Sequence, residues 1–548
     1  MILDNLTDAV AQIATFHTII LMIIGTGAGL LAGSIPGFTI AMAVVLTLPF
    51  TFSMPPAQGL AMMIAVLVGG LSGGLMSGIL TGIPGTPSSV ATTFDGFPMA
   101  RKGDPGFALG LGVWSSFCGG FMSAVMLVLF APQLARIGLE FQPWDFFMLV
   151  IFALTVTASL SGENLVKGLI AGAVGLLART VGEDEAVGVG RFDFGSDYLL
   201  SGFDFIAVLI GLFAFSQLLS DVRDRKAART ALTDQRKVEV RIEHRRAILA
   251  LISRWQTVLR SALIGMFTGI LPGAGGSIAN ILAYDQAKKA SKDPDSFGKG
   301  NPDGIIAPET SNNAVEGGTL TPLMALGIPG DVTSAIILGA LLMHDIVPGP
   351  TFIAEEPVLA YSIFVAFFAA NFIMLGMQSA MLRVFVLVTK IRMYMLAAVI
   401  LAFATIGVFA LNNSVDDLWT LFWFGLLGFA MRQLGFPLAP MILGVVLGNV
   451  AELNLSRALA IDTDVTLFFT RPWAMFFTIV ALFSAAFPLY QSQRDKGLRW
   501  TRFYAPAMLV AVAVPLSLMD GDFRKILAAI SVATAVYLTW RVLNGKTA

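Results

Sequence analysis

A single cysteine, Cys118, excludes an intrachain disulfide framework and any cysteine-based metal centre. Histidine is almost as scarce, and His17, His244 and His344 are too scattered for a ligand cluster. Charge is thin as well: 13% of residues, against roughly 25% in soluble chains. The net charge of −1 gives no global steering of nucleic acid or acidic partners. No ATP-binding motif is present, and the N-terminus, Met1-Ile2-Leu3-Asp4-Asn5, lacks the basic region of a cleavable signal peptide. The first apolar run is therefore expected to stay as a membrane helix.

What the chain has in abundance is apolar surface. Hydrophobic residues make up 56% of it, and the mean hydropathy is +0.78. Runs of about 20 apolar residues, enough to cross a core of about 30 Å, recur throughout. The reading is an all-α, polytopic integral membrane protein. Segments fall near 16–35, 38–52, 57–80, 107–132, 144–161, 165–180 and 203–220, then near 258–272, 276–287, 318–343, 358–388, 392–411, 418–434, 437–454 and 472–490. Two shorter ones, near 505–519 and 525–541, follow. The 55 glycines and 25 prolines suit close helix packing and helix breaks that line a cavity.

Three landmarks recur in order on either side of a polar divide. Gly33-Ser34-Ile35-Pro36-Gly37 matches Gly269-Ile270-Leu271-Pro272-Gly273. Gly82-Ile83-Pro84-Gly85 matches Gly327-Ile328-Pro329-Gly330, each inside a long apolar segment and each followed by short hydroxyl side chains. Gly202-Phe203 with Leu209-Ile210-Gly211 matches Gly435-Phe436 with Ile442-Leu443-Gly444. The order implies a duplication: a first transmembrane repeat at 1–220, a basic cytoplasmic connector at 221–256, a second repeat at 257–490, and a C-terminal extension at 491–548 with two short hydrophobic helices. Basic residues follow the first broken helix (Arg101, Lys102) but precede the second (Lys288, Lys289, Lys292, Lys299). By the positive-inside rule the halves lie upside down to one another. The fold expected is an inverted-repeat secondary transporter with broken or re-entrant helices.

Proline removes a backbone donor and glycine permits unusual dihedrals, so each Gly-Ile-Pro-Gly should break its helix and expose a fresh helix start. Thr86 before Pro87, and Asp331, read as N-caps. Helix starts and hydroxyls suit an anion. The substrate set is accordingly Pro36, Gly37, Gly85, Thr86, Ser88, Ser89, Gly273, Gly276, Ser277, Asn280, Asn312, Asn313, Thr333 and Ser334. Freed carbonyls with nearby oxygens suit a cation. That set is Gly82, Gly85, Ser88, Glu309, Asn313, Gly327, Gly330, Asp331 and Ser334. The bland alternative is that these turns are kinks with small polar residues packed between helices. Glu309 to Gly318 is read as a polar stretch leading into an apolar segment, with Glu316 either in a wet cavity or in a loop outside the membrane. Leu271 to Asn280 is a glycine-rich turn without the Gly-Lys-Ser/Thr that nucleotide binding needs.

Gly-Ile-Pro-Gly-Thr-Pro-Ser-Ser, Leu-Pro-Gly-Ala-Gly-Gly, Ala307-Pro308-Glu309 with Asn312-Asn313, the second Gly-Ile-Pro-Gly, and Gly435-Phe436-Pro437-Leu438-Ala439-Pro440 together resemble the large membrane subunit of the tripartite tricarboxylate transporter family (TctA-type), from about residue 16 to 490. The resemblance implies a bacterial inner-membrane permease for di- and tricarboxylates. It also implies cation coupling, a small membrane subunit (TctB-type) and a periplasmic substrate-binding protein (TctC-type). Asp331 departs from the small residue expected there, and residues past about 500 lie beyond the family core. Moving a dianion inward against about −100 mV costs about 4.6 kcal/mol, so a co-entering cation is required. Few intramembrane histidines and carboxylates favour Na⁺ over a proton relay. No resident cofactor and no enzymatic activity are expected. A channel is the main rival, and a membrane-embedded enzyme a distant one, because no catalytic cluster is evident.

Overall fold

The computed structural model describes residues 2–35, 37–160, 164–184, 188–223, 241–388 and 393–544. Most of the connector's basic run, 224–240, and Pro36 lie outside the described residues. Among the described residues the chain is nearly all helix, with one two-residue strand pairing, Gly182–Glu183 against Gly190–Arg191. Nine helices among the described residues are long and apolar enough to cross a membrane, and a further pair, His244–Ser253 and Trp255–Ile270, is bent by 83° at Arg254. The C-terminal helices are longer than expected: both Arg499–Leu518 and Asp522–Leu543 have membrane-spanning length. Compactness divides the chain into two units, Met1–Leu139 with Phe203–Leu434, and Glu140–Gly202 with Gly435–Ala548.

In the first unit the helices that build the site are α1 (Phe16–Ser34), α2 (Ile40–Thr51), α3 (Pro56–Thr81), α4 (Val90–Arg101) and α5 (Pro105–Gly138) from the first half. The second half supplies α6 (Trp255–Ile270), α7 (Gly275–Ala290), α8 (Asp303–Leu326), α9 (Val332–Met343) and α10 (Pro357–Val388). Small residues let backbones touch. A Cβ on Gly29 would collide with the Val66 carbonyl, one on Gly33 with the Gly70 carbonyl, and one on Gly73 with the Leu30 carbonyl. In the second half Gly265 stands so against the Ser311 carbonyl, Gly269 against that of Val315, and Gly318 against that of Met266. Gly85 packs on the Gly33 carbonyl as Gly330 does on the Gly269 carbonyl. The contacts of one half thus recur in the other. The third landmark follows suit within separate units. Gly211 meets the Leu421 carbonyl and Gly425 nitrogen in the first, and Gly444 meets the Gly172 carbonyl and Leu176 nitrogen in the second.

Both broken helices stop at a left-handed glycine, Gly82 (φ 79°) and Gly327 (φ 72°). The first chain then doubles back: Gly85 N–H donates to the Gly74 carbonyl (3.3 Å), and Thr86 and Ser89 press on Gly74. α4 climbs out again, with Thr93 beside Gly78 and the Phe97 ring beside Gly82. The second turn likewise brings Gly330 down to Thr319. Both are re-entrant loops, and they run in opposite senses. Gly59, near the start of α3, faces His344 just past α9; the middles of α3 and α8 are joined by Ser72 and Asn313; and Met99, near the end of α4, faces Gly300, just before α8.

The second unit packs α11 (Pro143–Leu160), α12 (Leu165–Arg179), α13 (Leu438–Ile461), α14 (Pro472–Asp495), α15 (Tyr504–Leu518) and α16 (Asp522–Leu543); these numbers continue the series by unit. Asp145, fully buried, accepts from the backbone of Gln142 (2.9 Å) and Ala474 (3.0 Å) and from Arg471 (3.3 Å). Tyr504 stacks on Tyr490 at 4.3 Å and donates to the Phe483 carbonyl. Arg524 pairs with Glu140 at 2.7 Å. These contacts tie the C-terminal helices to the rest of that unit.

Candidate functional site

The site lies in the first unit, where the two re-entrant turns meet the N-terminus of α7. Thr86 and Asp331 cap the helices that follow, as their types predict. Asp331 Oδ1 accepts from Ser334 N–H (2.8 Å) while Ser334 Oγ accepts from Asp331 N–H (2.9 Å). Ser89 Oγ plays the same part for Thr86 N–H (3.4 Å). Ser89 and Ser334 are therefore engaged in shaping the turns, each also donating to a turn carbonyl at 2.9 Å. The carboxylate of Asp331 serves its own helix, which accounts for an acid at this position.

α7 begins between the two turns. Gly273 N–H donates to the Gly330 carbonyl (2.8 Å), and a Cβ on Gly275 would lie 3.7 Å from that of Asp331. One residue on, a Cβ on Gly276 would lie 2.8 Å from Asn312 Oδ1 and 2.9 Å from Ser88 Cβ. Asn280, one helical turn further, donates its amide to the Ser88 carbonyl. Ser88 Oγ lies 3.2 Å from Thr86 Oγ1. Gly85, Thr86, Ser88, Gly273, Gly276, Asn280, Asn312, Gly330 and Asp331 thus come together from separated parts of the chain. Gly37 and Ser277 are exposed instead, and Thr333 is buried on α9. The start of α7 lies beside the hydroxyls of Thr86 and Ser88 and the amides of Asn280 and Asn312, a setting for a carboxylate.

A second polar cluster lies within α8. The stretch Glu309–Gly318 is part of a helix that starts at Asp303, and every residue of it is buried. The loop alternative for Glu316 is thereby overturned: Glu316 is buried and accepts from Thr319 Oγ1 (3.3 Å). Four features disguised the helix: Pro308, Pro322, two glycines and a dense polar face. Glu309, with no exposed surface, accepts from Thr92 (2.5 Å) and Ser116 (3.0 Å). Asn313 donates to the Glu309 carbonyl (3.1 Å) and accepts from Ser72 (2.8 Å).

Residues that sequence reasoning passed over complete the picture. Asp95, buried on α4, accepts from Tyr284 OH (2.9 Å), Gly298 N–H (3.0 Å), Gly300 N–H (2.7 Å) and Asn301 N–H (2.7 Å). It clasps the loop that leads into α8. Thr92, Ser116, Ser72 and Gln378, which donates to the Ser72 carbonyl at 3.1 Å, were equally unmarked. An acid inside an apolar segment was the available signal for Asp95. With Asp95, Glu309 and Glu316 all buried, buried carboxylates are more numerous than the sequence reading allowed, which weakens that argument against a proton.

Comparison with known proteins identifies the family of the chain. The family model described as "Tripartite tricarboxylate transporter TctA family" matches residues 19–443. An Agrobacterium vitis protein described as "Uncharacterized 52.8 kDa protein in TAR-I ttuC' 3'region" is 32% identical over 499 residues, covering 90% of this chain and 98% of the relative. Another from the same organism, "Uncharacterized protein in TAR-II ttuC' 3'region", is 34% identical over 236 residues, 42% of this chain and 98% of the relative. No solved structure matches the chain. A multi-pass helical protein whose motifs and whose family match cover the same turns is thereby placed: the chain belongs to the tripartite tricarboxylate transporter TctA family.

Proposed function

We propose that this protein is the permease subunit of a binding-protein-dependent secondary transporter that carries di- or tricarboxylates across the bacterial inner membrane, coupled to Na⁺. The observation that carries the reading is the meeting of two oppositely running re-entrant turns at one helix start, α7, lined by hydroxyls and amides. Such a site takes carboxylate oxygens on N–H groups and hydroxyls, and a cation on the remaining oxygens. The duplicated halves, running in opposite senses, supply two related arrangements that would open the site to either side in turn. Family membership supports tripartite partners generally; a small TctB-type membrane subunit and a periplasmic TctC-type binding protein are the specific proposal.

The test is uptake of labelled carboxylates into vesicles holding the assembled permease, with binding protein, with and without an imposed Na⁺ gradient. Accumulation that saturates and follows the gradient is expected; uptake indifferent to every cation gradient overturns the coupling. Ser88→Ala and Asn313→Ala are each expected to lower uptake about tenfold, the effect of losing about 1.4 kcal/mol, with normal amounts of protein in the membrane. Wild-type uptake in both variants removes these residues from the site.

A further inference from the structure

Two amide oxygens in the site are buried without a hydrogen-bond donor: Asn280 Oδ1 and Asn312 Oδ1. Both residues are fully buried. Their amide orientations follow from their nitrogens, since Asn280 Nδ2 donates to the Ser88 carbonyl and Asn312 Nδ2 to the Leu71 carbonyl (3.4 Å). Ser88 joins the two asparagines, because Gly276 lies against both its Cβ and Asn312 Oδ1. At Gly276 a methyl group would stand 2.8 Å from Asn312 Oδ1, so the glycine keeps open the space in front of that oxygen. Buried acceptors without donors are costly unless something positive meets them.

We propose that Asn280 Oδ1, Asn312 Oδ1 and Ser88 Oγ form a site for a small hard monovalent cation, with Na⁺ as its probe. This rests on the transport reading and deepens it, since it places the coupling ion on residues first read as substrate ligands. Neutral oxygens are the ligands such ions take, and amides supply them without the cost of burying a charge. The cation would lie beside the N-terminus of α7, which suits an anion. Ion and carboxylate would then offset one another's burial. Asp331 stands beside Gly275 at the same α7 start.

The test uses the purified full chain in detergent with no carboxylate present, its thermal unfolding followed in NaCl and in equal choline chloride. Na⁺ is expected to raise the unfolding temperature saturably, as any ligand of the folded state does. Asn280→Ala and Asn312→Ala should lose that rise, or need at least about tenfold more Na⁺ for it, each variant being compared with its own unfolding temperature in choline. Gly276→Ala removes no oxygen and suits a helix, yet fills the space; it should lose the Na⁺ response too, and decides the matter should an asparagine variant not fold. A wild-type chain that does not respond to Na⁺, or variants that respond as wild type does, overturn the site. Na⁺-driven uptake alongside such a result would leave the transport reading standing and remove only this site.

Discussion

Alanine at Gly85, and separately at Gly330, is expected to cut carboxylate uptake by at least about tenfold, an overpacking cost of about 1–3 kcal/mol acting on the turn that forms the site. The two glycines hold equivalent places. A methyl on Gly85 would press into the Gly33 carbonyl and lie 2.7 Å from Ser77 Oγ; one on Gly330 would press into the Gly269 carbonyl and lie 2.9 Å from Thr319 Cα. In each case the obstacle includes backbone, which cannot rotate away as a side chain can. The re-entrant loop would have to lift from its partner helix, carrying Ser88 in one half or Asp331 in the other. Gly376 provides the control, since it has nothing within 4 Å of an added Cβ and Gly376→Ala should transport normally. Uptake is measured in vesicles and normalised to inserted protein. Wild-type rates in Gly85→Ala and Gly330→Ala would show that the close approach of the turns is not required.

Asp95→Ala is expected to destabilise the first unit. It leaves three backbone N–H groups, of Gly298, Gly300 and Asn301, and the Tyr284 hydroxyl without their acceptor. Gly298 is exposed and the other three donors are half-buried, so water can meet them; at about 0.5–1.5 kcal/mol for each hydrogen bond lost, the sum is about 2 kcal/mol or more. Two further contacts hold the same loop, Lys102 Nζ on the Lys299 carbonyl (2.6 Å) and Gly300 against Met99, but both are at the surface or apolar. Asp95→Asn keeps an acceptor oxygen and should fall between wild type and alanine. Thermal unfolding of the purified chain measures the series. An alanine variant that unfolds at the wild-type temperature would contradict the clasp.

Local chemistry was legible in the chain, and distant partnership was not. The breaks at Gly82 and Gly327 and the caps at Thr86 and Asp331 follow from residue type alone, and the helices fall near their expected limits for the same reason. The start of α8 at Asp303 was missed because Pro308 and a dense polar face look like loop, although a helix buried on all sides can carry polar groups that find partners on neighbours. Thr92, Ser116 and Ser72 are ordinary small polar residues in apolar helices. Only the fold sets them against Glu309 and Asn313, which lie in the other half of the sequence. Ser277 was misjudged in the opposite direction: it shares the glycine-rich turn with Gly276, but its helical position turns it outward.

The most direct test of the account is the sidedness of the loops at the four ends of the broken helices. Single cysteines at the exposed positions Ser53, Lys102, Lys299 and Val347, in a Cys118→Ser background, would be labelled in sealed vesicles with a thiol reagent that does not cross the membrane. The account predicts that Lys102→Cys and Lys299→Cys react from one face, and Ser53→Cys and Val347→Cys from the other. Labelling of positions 102 and 299 from opposite faces would contradict it.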